Sequence, residues 1–299
     1  MIEVKNLVKR YGDHVAVNNL SFTVEEGQIY GFLGPNGAGK STTMNIITGY
    51  LASTEGEVLI NGHNILEEPE EAKKCIGYLP ELPPVYTDMT VLEYLKFVAE
   101  LKKIPKDQRK KQILEVMNLV KITDMQNRLI RNLSKGYRQR VGLAQAVLGF
   151  PKIIILDEPS VGLDPKQIIE IRELIRQLAK KHTVILSSHI LAEVREVCDY
   201  ILIISKGKLV ASDTPENLER NLGDSDLIEI ETKASPDEVR RILETVDGIR
   251  SISTKYLENG ITWAQIQEKK NTDIREKVFQ AFAQNHQPLL KLNPRQVSL

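Results

Sequence analysis

A phosphate-binding loop of the pattern G-x-x-x-x-G-K-[ST] lies near the start of the chain. Its members, with the hydroxyl residue that follows them, are Gly34, Pro35, Asn36, Gly37, Ala38, Gly39, Lys40, Ser41 and Thr42. The glycines let the backbone curl, so that successive N–H groups point at phosphate oxygens. Lys40 is expected to reach the outer phosphates, and the Ser41 hydroxyl is expected to ligate Mg²⁺. The pattern therefore predicts that this segment binds a nucleoside triphosphate.

The segments on either side of the loop have the character that such a loop needs. Residues 28–33 are mostly apolar and predict a strand, and residues 42–47 predict the opening of a helix. The N-terminus of that helix would add a partial positive charge beside the phosphates. The order strand, loop, helix distinguishes a nucleotide site from a simple glycine-rich turn.

Two carboxylates, Asp157 and Glu158, follow the apolar run Ile153–Leu156. A buried parallel strand that ends in acidic residues delivers their carboxylates to the edge of a sheet. Asp157 then suits the Mg²⁺ shell, directly or through water, and Glu158 is placed to orient and deprotonate an attacking water. A solvated acidic turn is the alternative, and the phosphate-binding loop upstream disfavours it.

His189 follows a second apolar strand, Thr183–Leu186, and the pair Ser187 and Ser188. A single histidine is often structural, but open α/β sheets bind their ligands beyond the carboxyl ends of the strands. A neutral imidazole at that place could hydrogen-bond the γ-phosphate and sense its loss. Its position therefore favours a functional interpretation of His189.

The bulk composition limits the class of protein. A length of 299 residues accommodates one large domain and a smaller one, and 40 basic residues balance 40 acidic ones, which disfavours a nucleic-acid binder. Cys75 and Cys198 lack zinc spacing and are expected to be small buried side chains in a reducing compartment. The chain starts without a signal-peptide pattern, and its apolar runs fall short of the ~18 residues that span a bilayer. We therefore expect a cytoplasmic protein that reaches a membrane only through a partner.

Taken in order, the motifs resemble those of the ATP-binding subunits of ABC transporters, over roughly residues 2–220. Tyr11 matches the aromatic residue that stacks on adenine in this family. Residues 133–140, Leu-Ser-Lys-Gly-Tyr-Arg-Gln-Arg, stand at the signature position before the Asp-Glu strand. Residues 162–165 match the loop that crosses to the partner subunit, and His189 matches the switch histidine.

Two places depart from the usual family pattern. The signature is usually Leu-Ser-Gly-Gly-Gln, and this chain keeps Ser134 and Gly136 but has Lys135 and Tyr137. Glu81 stands where the family usually has glutamine, and its carboxylate still offers an oxygen to Mg²⁺. Both variants resemble those of bacterial type-2 ABC exporters, including the gliding-motility-associated ATP-binding subunits.

The resemblance implies an ATP-hydrolysing subunit that drives export through a separate transmembrane permease. Two ATP molecules would lie between two head-to-tail copies, each molecule bound by Tyr11 and the 34–42 loop of one copy. Mg²⁺ would be held by Ser41, Glu81 and Asp157, while Ser134, Gly136 and Asp164 would come from the other copy. Glu158 would act as the base and His189 as the γ-phosphate contact, so that ATP closes the dimer and hydrolysis opens it.

The same resemblance implies partners and a location. The partners are the permease and a second ATP-binding subunit, with an intact Glu158 permitting a homodimer, and no nucleic acid is expected. The chain would lie in the cytoplasm, peripheral on the inner face of the cell membrane.

The predicted fold class is α/β. Residues 1–222 are expected to form a P-loop NTPase domain of the ABC ATPase type, with a mixed sheet and a helical subdomain over about 88–150. Within that subdomain, the basic run from Lys102 to Lys111 is interpreted as a solvated helix face, with contact to anionic lipid head groups as the alternative.

Residues 226–299 are expected to form a small α+β domain. Strands are predicted at 227–231, 249–256, 261–267 and near 288–292, with helices at 237–246 and 272–284. This β-α-β-β-α-β order predicts a ferredoxin-like unit with a role in dimerisation or regulation. A linker is predicted at 223–226 and a turn at 258–260, and related chains usually continue beyond residues 297–299.

Two other functions are weighed against transport. A soluble ABC-type ATPase of translation or DNA repair usually carries two cassettes or a long coiled coil, and neither is present in this sequence. A GTP-driven switch protein would lack Tyr11 and the signature segment. Transport is therefore the favoured function, with its cargo set by the membrane subunit.

Overall fold

A computed structural model describes residues 1–218, 227–257, 260–269 and 272–295 of the chain. The chain forms two compact units, Met1–Pro215 and Glu216–Leu299. The predicted linker at 223–226, residues 258 and 259 of the predicted turn, and the chain end at 297–299 lie outside the described residues.

The first unit contains both strands and helices. Its strands are β1 (Ile2–Tyr11), β2 (His14–Val24), β3 (Ile29–Leu33), β4 (Glu55–Ile60), β5 (His63–Asn64), β6 (Ile76–Leu79), β7 (Ile153–Leu156), β8 (Thr183–Ser188), β9 (Tyr200–Ser205) and β10 (Lys208–Asp213). Its helices are α1 (Lys40–Ile47), α2 (Pro69–Lys74), α3 (Val91–Leu101), α4 (Lys106–Leu119), α5 (Lys135–Val147), α6 (Pro165–Ala179) and α7 (Leu191–Val197).

A six-stranded sheet in the order β10-β9-β3-β8-β7-β6 forms the centre of this unit. Only the β9–β10 pair is antiparallel, and the other neighbours run parallel. Every residue of β3, β7 and β8 is buried, as expected for parallel strands that are covered on both faces. Because these strands are parallel, their carboxyl ends meet at one edge of the sheet, where the candidate site lies.

A second, antiparallel sheet in the order β2-β1-β4-β5 packs on the first. Phe22 of β2 meets Phe32 of β3 edge to face, with ring centroids 5.1 Å apart. Met44 of α1 belongs to the same buried cluster. Full burial of such a side chain stabilises the fold by about 1.5–3 kcal/mol. This core holds β3 and α1, the two elements that flank the phosphate-binding loop.

Helices α3, α4 and α5 follow one another in the chain between β6 and β7, and they pack against each other. Helix α3 begins at a capping box, in which the Thr90 backbone N–H donates to Glu93 and the Glu93 N–H donates to the Thr90 hydroxyl. Lys102, which follows α3, is exposed as predicted for the basic run, but its ammonium is hydrogen-bonded to the protein. Its ammonium donates to the carbonyl oxygens of Gln145, Ala146 and Leu148, at 2.7, 3.2 and 2.6 Å. Lys102 therefore satisfies the carbonyl groups that the end of α5 leaves unpaired.

The two cysteines differ from each other. Cys198 is buried, and burial raises the pKa of its thiol, so it behaves as a small apolar side chain. Cys75 is only half-buried, so the expectation of two buried cysteines is wrong for this residue. It lies at the partly exposed end of α2 and packs against the edge of the core.

The second unit is a four-stranded antiparallel sheet with two helices. Its elements are β11 (Leu227–Thr232), α8 (Pro236–Glu244), β12 (Ile249–Tyr256), β13 (Thr262–Glu268), α9 (Arg275–Gln284) and β14 (Leu289–Arg295). The strands lie in the order β12-β13-β11-β14. Alternate residues of β11 and β13, including Ile230 and Ile266, join side chains of both helices in a core of this unit's own. The ferredoxin-like assignment of this unit stays a prediction.

No helix in the described part of the chain has both the length and the apolar character that crossing a bilayer requires.

Candidate functional site

A cavity of about 470 Å³ opens beside the phosphate-binding loop, and most of the predicted nucleotide contacts line it. Its lining comprises Tyr11, His14, Ala16, Asn36, Gly37, Gly39, Lys40, Ser41, Thr42, Glu81, Glu158, Val161 and His189. The volume lies within the range of about 300–1,000 Å³ typical of small-molecule sites. The fold thus gathers side chains from the ends of β1, β3, β7 and β8 around one space.

The loop owes its shape to glycine at the start of α1. Gly39 has a φ of 105°, a conformation that residues with a Cβ rarely adopt, and a Cβ there would lie 2.7 Å from the Ala16 carbonyl oxygen. Since Gly39 has no side chain, the backbone can turn sharply into α1. The N–H groups of the first turn of α1 then lie at the cavity.

Lys40 is almost fully buried and bends back over its own loop. Its ammonium donates to the carbonyl oxygens of Gly34 at 2.7 Å and Pro35 at 3.3 Å. It also lies 3.4 Å from Glu158 Oε1, and the two side chains are only 5% and 8% exposed. A buried charge is costly without a partner, so this ion pair compensates both groups.

Glu158 connects Lys40 to His189. His189 Nδ1 lies 3.0 Å from Glu158 Oε2, and because a carboxylate only accepts, Nδ1 carries the proton in this contact. Glu158 also has a φ of 47°, in the left-handed region. For a residue with a Cβ this conformation costs about 1–2 kcal/mol, and such strain is concentrated at functional sites.

A further contact of the site joins Asp157 to Ser41, a residue of the loop. Ser41 Oγ is 3.4 Å from Asp157 Oδ1, and the same oxygen accepts a 2.6 Å hydrogen bond from Ser187 Oγ. Ser41, Asp157 and Glu81 line a second cavity of about 600 Å³. Burial, reinforced by the Asp157 carboxylate, raises the pKa of Tyr78 in this cavity, so its hydroxyl stays protonated and donates to Asn45.

Tyr11 stands at the rim of the first cavity, 49% exposed at the end of β1. The Lys9 ammonium lies 5.2 Å from the centroid of its ring. An exposed, flat aromatic face at this place can stack on a base.

The three residues that the resemblance assigns to a partner's site form a separate group and line neither cavity. Ser134 caps the N-terminus of α5, and Asp164 caps that of α6. A Cβ on Gly136 would lie 2.5 Å from Gln167 Oε1 in the first turn of α6, so the two helix starts are neighbours. The structure thus brings Ser134, Gly136 and Asp164 together, apart from the phosphate-binding loop of the same chain.

Sequence reasoning left some residues of the site without a role. Ser187 contacts both Asp157 and Glu158, while His14, Ala16 and Val161 complete the wall of the first cavity. The position of Ser187 at the end of an apolar strand was the one signal that pointed to it. The wall residues carry no motif, because His14 and Ala16 reach the cavity through the packing of β2, and Val161 through the path of the chain after β7.

Comparisons with known proteins agree with the fold. A model of the ABC transporter family matches residues 17–161. An uncharacterized ABC transporter ATP-binding protein of Bacillus subtilis (strain 168), YhcH, is 39% identical over 249 residues, covering 83% of this chain and 80% of that protein. The bacitracin transport ATP-binding protein BcrA of Bacillus licheniformis is 40% identical over 212 residues, covering 70% and 68%.

Solved structures agree as well. The structure of an ATP-binding subunit of an ABC transporter has a TM-score of 0.68 and 30% identity, covering 75% of this chain and 93% of that chain. The cassette MJ0796, a dimer in a post-hydrolysis state with bound ADP and Pi, has a TM-score of 0.66 and 27% identity, covering 72% and 99%. The predicted α/β cassette fold is confirmed.

Proposed function

The chain belongs to the family of ABC transporter ATP-binding proteins, which are ATPases, and we propose that it powers export through a separate transmembrane permease. The observation that carries the proposal is the convergence of the phosphate-binding loop, Glu158 and His189 on one cavity, while Ser134, Gly136 and Asp164 form a second group outside it. Such a division suits a site that two copies complete together.

ATP is proposed to bind with its adenine on Tyr11 and its phosphates in the loop formed by Gly34, Pro35, Asn36, Gly37, Ala38, Gly39, Lys40, Ser41 and Thr42. Backbone N–H groups at the start of α1 would hold the phosphate oxygens. Lys40 would exchange its contacts with Glu158 and the loop carbonyls for the outer phosphates, which are stronger acceptors.

Mg²⁺ fits the oxygen-rich side of the loop. Ser41 and Asp157 present oxygens 3.4 Å apart, and Glu81 faces the same cavity, an all-oxygen set that a hard cation prefers. When bound, the ion supplies positive charge to the phosphates.

Glu158 is proposed as the general base. Its carboxylate borders the cavity and accepts from His189, so it can orient a water and take its proton. His189 is proposed to contact the γ-phosphate. That contact needs a proton on Nε2. The imidazole either moves its proton from Nδ1 to Nε2, which breaks the hydrogen bond to Glu158, or takes up a second proton.

The second group is proposed to complete the site of another copy. The Ser134 hydroxyl and the backbone at Gly136 would face the γ-phosphate at the start of α5, with Asp164 beside them. ATP bound between two copies would close a homodimer, and hydrolysis would release it. The dimer of MJ0796, in a post-hydrolysis state, supports this proposal.

Export and the partner rest on several observations. Lys135, Tyr137 and Glu81 resemble exporter variants, and BcrA, a relative, is a bacitracin transport protein. The balanced charge of the chain argues against a nucleic-acid partner. We place the protein in the cytoplasm, peripheral on the membrane through its permease, with a small C-terminal domain that serves dimerisation or regulation.

Purification of the tagged full-length chain from detergent-solubilised native membranes tests the proposed partner. We expect a polytopic membrane protein to accompany it in stoichiometric amount. Recovery with ribosomes or DNA-repair proteins, or with no membrane protein, would instead indicate a soluble ATPase. A parallel purification from the soluble fraction is the control for nonspecific recovery.

A further inference from the structure

Ser187 joins the two carboxylate residues of the site from the neighbouring strand. It is fully buried near the end of β8, next to β7, whose chain continues into Asp157 and Glu158. Its hydroxyl donates to Asp157 Oδ1 at 2.6 Å, and its oxygen accepts from the Glu158 backbone N–H at 2.9 Å. One side chain therefore contacts both residues at once.

The direction of these hydrogen bonds follows from the chemistry of the groups. A hydroxyl has one proton and two lone pairs, and the Glu158 N–H can only donate. The hydroxyl proton is thus left for Asp157 Oδ1, the oxygen that also lies 3.4 Å from Ser41 Oγ. Ser187 consequently fixes the orientation of the carboxylate that faces Ser41.

The second contact bears on the backbone of Glu158. Its left-handed φ of 47° is unfavourable for a residue with a Cβ, so surrounding contacts must hold it. Lys40 and His189 hold its carboxylate, whereas Ser187 holds its backbone N–H. Loss of the Ser187 hydroxyl would leave a buried N–H without that acceptor and free the peptide to rotate.

We propose that Ser187 is a positioning residue, which sets Asp157 for Mg²⁺ and holds Glu158 in its strained conformation. This inference rests on the proposed function of the site. A buried hydroxyl that merely completes the packing of β8 is the alternative, and the two differ in their effect on Mg²⁺.

The test measures binding of a fluorescent ATP analogue to the purified chain, in saturating Mg²⁺ and in EDTA. The variants are Ser187→Ala and Ser187→Cys, the latter keeping the size of the side chain with a weak S–H donor. Thr183→Val is the matched control. It removes a buried hydroxyl at the other end of the same strand, where Thr183 accepts from the Gly27 N–H at 2.9 Å.

Mg²⁺ raises the affinity for the ATP analogue by a certain factor, and we expect this factor to be about 10- to 100-fold smaller in both Ser187 variants. A loss of this size is usual when a group that orients a metal ligand is removed. Their affinity in EDTA should equal that of the wild type, and half-saturating Mg²⁺ for hydrolysis should rise. Thr183→Val should keep the wild-type ratio of the two affinities.

An unchanged Mg²⁺ gain in folded Ser187→Ala and Ser187→Cys would overturn the inference, as would an equal loss of affinity in Mg²⁺ and EDTA. Circular dichroism establishes folding, and Ser187→Cys stands in if the alanine variant does not fold. A wild-type chain that binds no ATP analogue, or binds it equally well after Lys40→Ala, would overturn the proposed function instead.

Discussion

At the scale of single residues, Glu158 is held from three directions. Lys40 lies 3.4 Å from one carboxylate oxygen, His189 lies 3.0 Å from the other, and the backbone N–H donates to Ser187. A carboxylate held in this way is preorganised towards the cavity for its proposed role as the base. Lys40 and His189 are also the groups proposed to move to the phosphates of ATP. ATP binding would therefore be coupled to release of the Glu158 carboxylate from these two contacts.

Glu158→Gln is expected to keep ATP binding and to lose most of the hydrolysis rate. Glutamine preserves the size of the side chain but cannot take a proton from water, and general-base catalysis contributes typically about 10²–10⁴-fold to a rate. The variant should also accumulate as an ATP-bound dimer, because the step that opens the dimer is blocked. Phosphate release and gel filtration with ATP measure the two effects.

Glu57→Gln is the control for that variant, since Glu57 pairs with Lys5 on the exposed face of β4. It should hydrolyse ATP at the wild-type rate. Wild-type hydrolysis by Glu158→Gln would show that another group is the base.

At the scale of the elements, Lys102 links the end of α3 to the end of α5. Three carbonyl oxygens accept from its ammonium, and the residue also lines the second cavity together with Gln145 and Glu81. Positive charge near the C-terminus of a helix is favourable, because it complements the helix dipole. In the sequence, Lys102 belongs to a basic run that is expected to be solvated. In the structure it connects α3 and α5 beside the site.

Lys102→Met is expected to lower the free energy of unfolding by about 1–3 kcal/mol, because its hydrogen bonds to carbonyl groups are lost. Urea unfolding followed by far-ultraviolet circular dichroism measures the change. Lys103→Met is the matched control. The side chain of Lys103 is exposed, and its ammonium lies 4.0 Å from Glu70, which is a weak surface ion pair. Surface ion pairs of that kind are worth about 0–1 kcal/mol. Equal effects of the two substitutions would contradict the capping role of Lys102.

At the scale of the whole molecule, the two compact units have separate cores. Trp263 of β13, the single tryptophan of the chain, reports on the second unit alone. The residues that line the proposed nucleotide site all belong to the first unit. Each unit is therefore expected to unfold with its own midpoint, and ATP should act on only one of them.

Thermal unfolding of Glu158→Gln tests this expectation. ATP at a hundred times its Kd stabilises the unit that binds it by about 2.7 kcal/mol, which corresponds to a rise of roughly 5–10 °C in its Tm. Circular dichroism should show that rise, while the midpoint from Trp263 fluorescence stays constant. With Lys40→Ala added, neither midpoint should move. A Trp263 midpoint that rises with ATP would mean that the two units unfold together.

The amino-acid sequence alone determined the strands that precede the phosphate-binding loop, Asp157 and His189, because buried parallel strands have continuous apolar runs. It also determined the phosphate-binding loop. The glycines and the lysine stand at fixed spacing because the loop itself needs a backbone that curls and a positive charge. The family and the α/β fold followed from these motifs. Such features depend on residues close together in the chain, so a linear pattern contains them.

Only the tertiary structure decided which distant groups meet. The ion pair of Lys40 with Glu158 and the contacts of Ser187 join residues of different elements that lie 29 or more positions apart in the chain. Lys102 likewise differs from its basic neighbours only because the end of α5 lies beside it. Side-chain hydrogen bonds act over about 3 Å, so they exist only once strand order and helix packing have set the positions of their donors and acceptors.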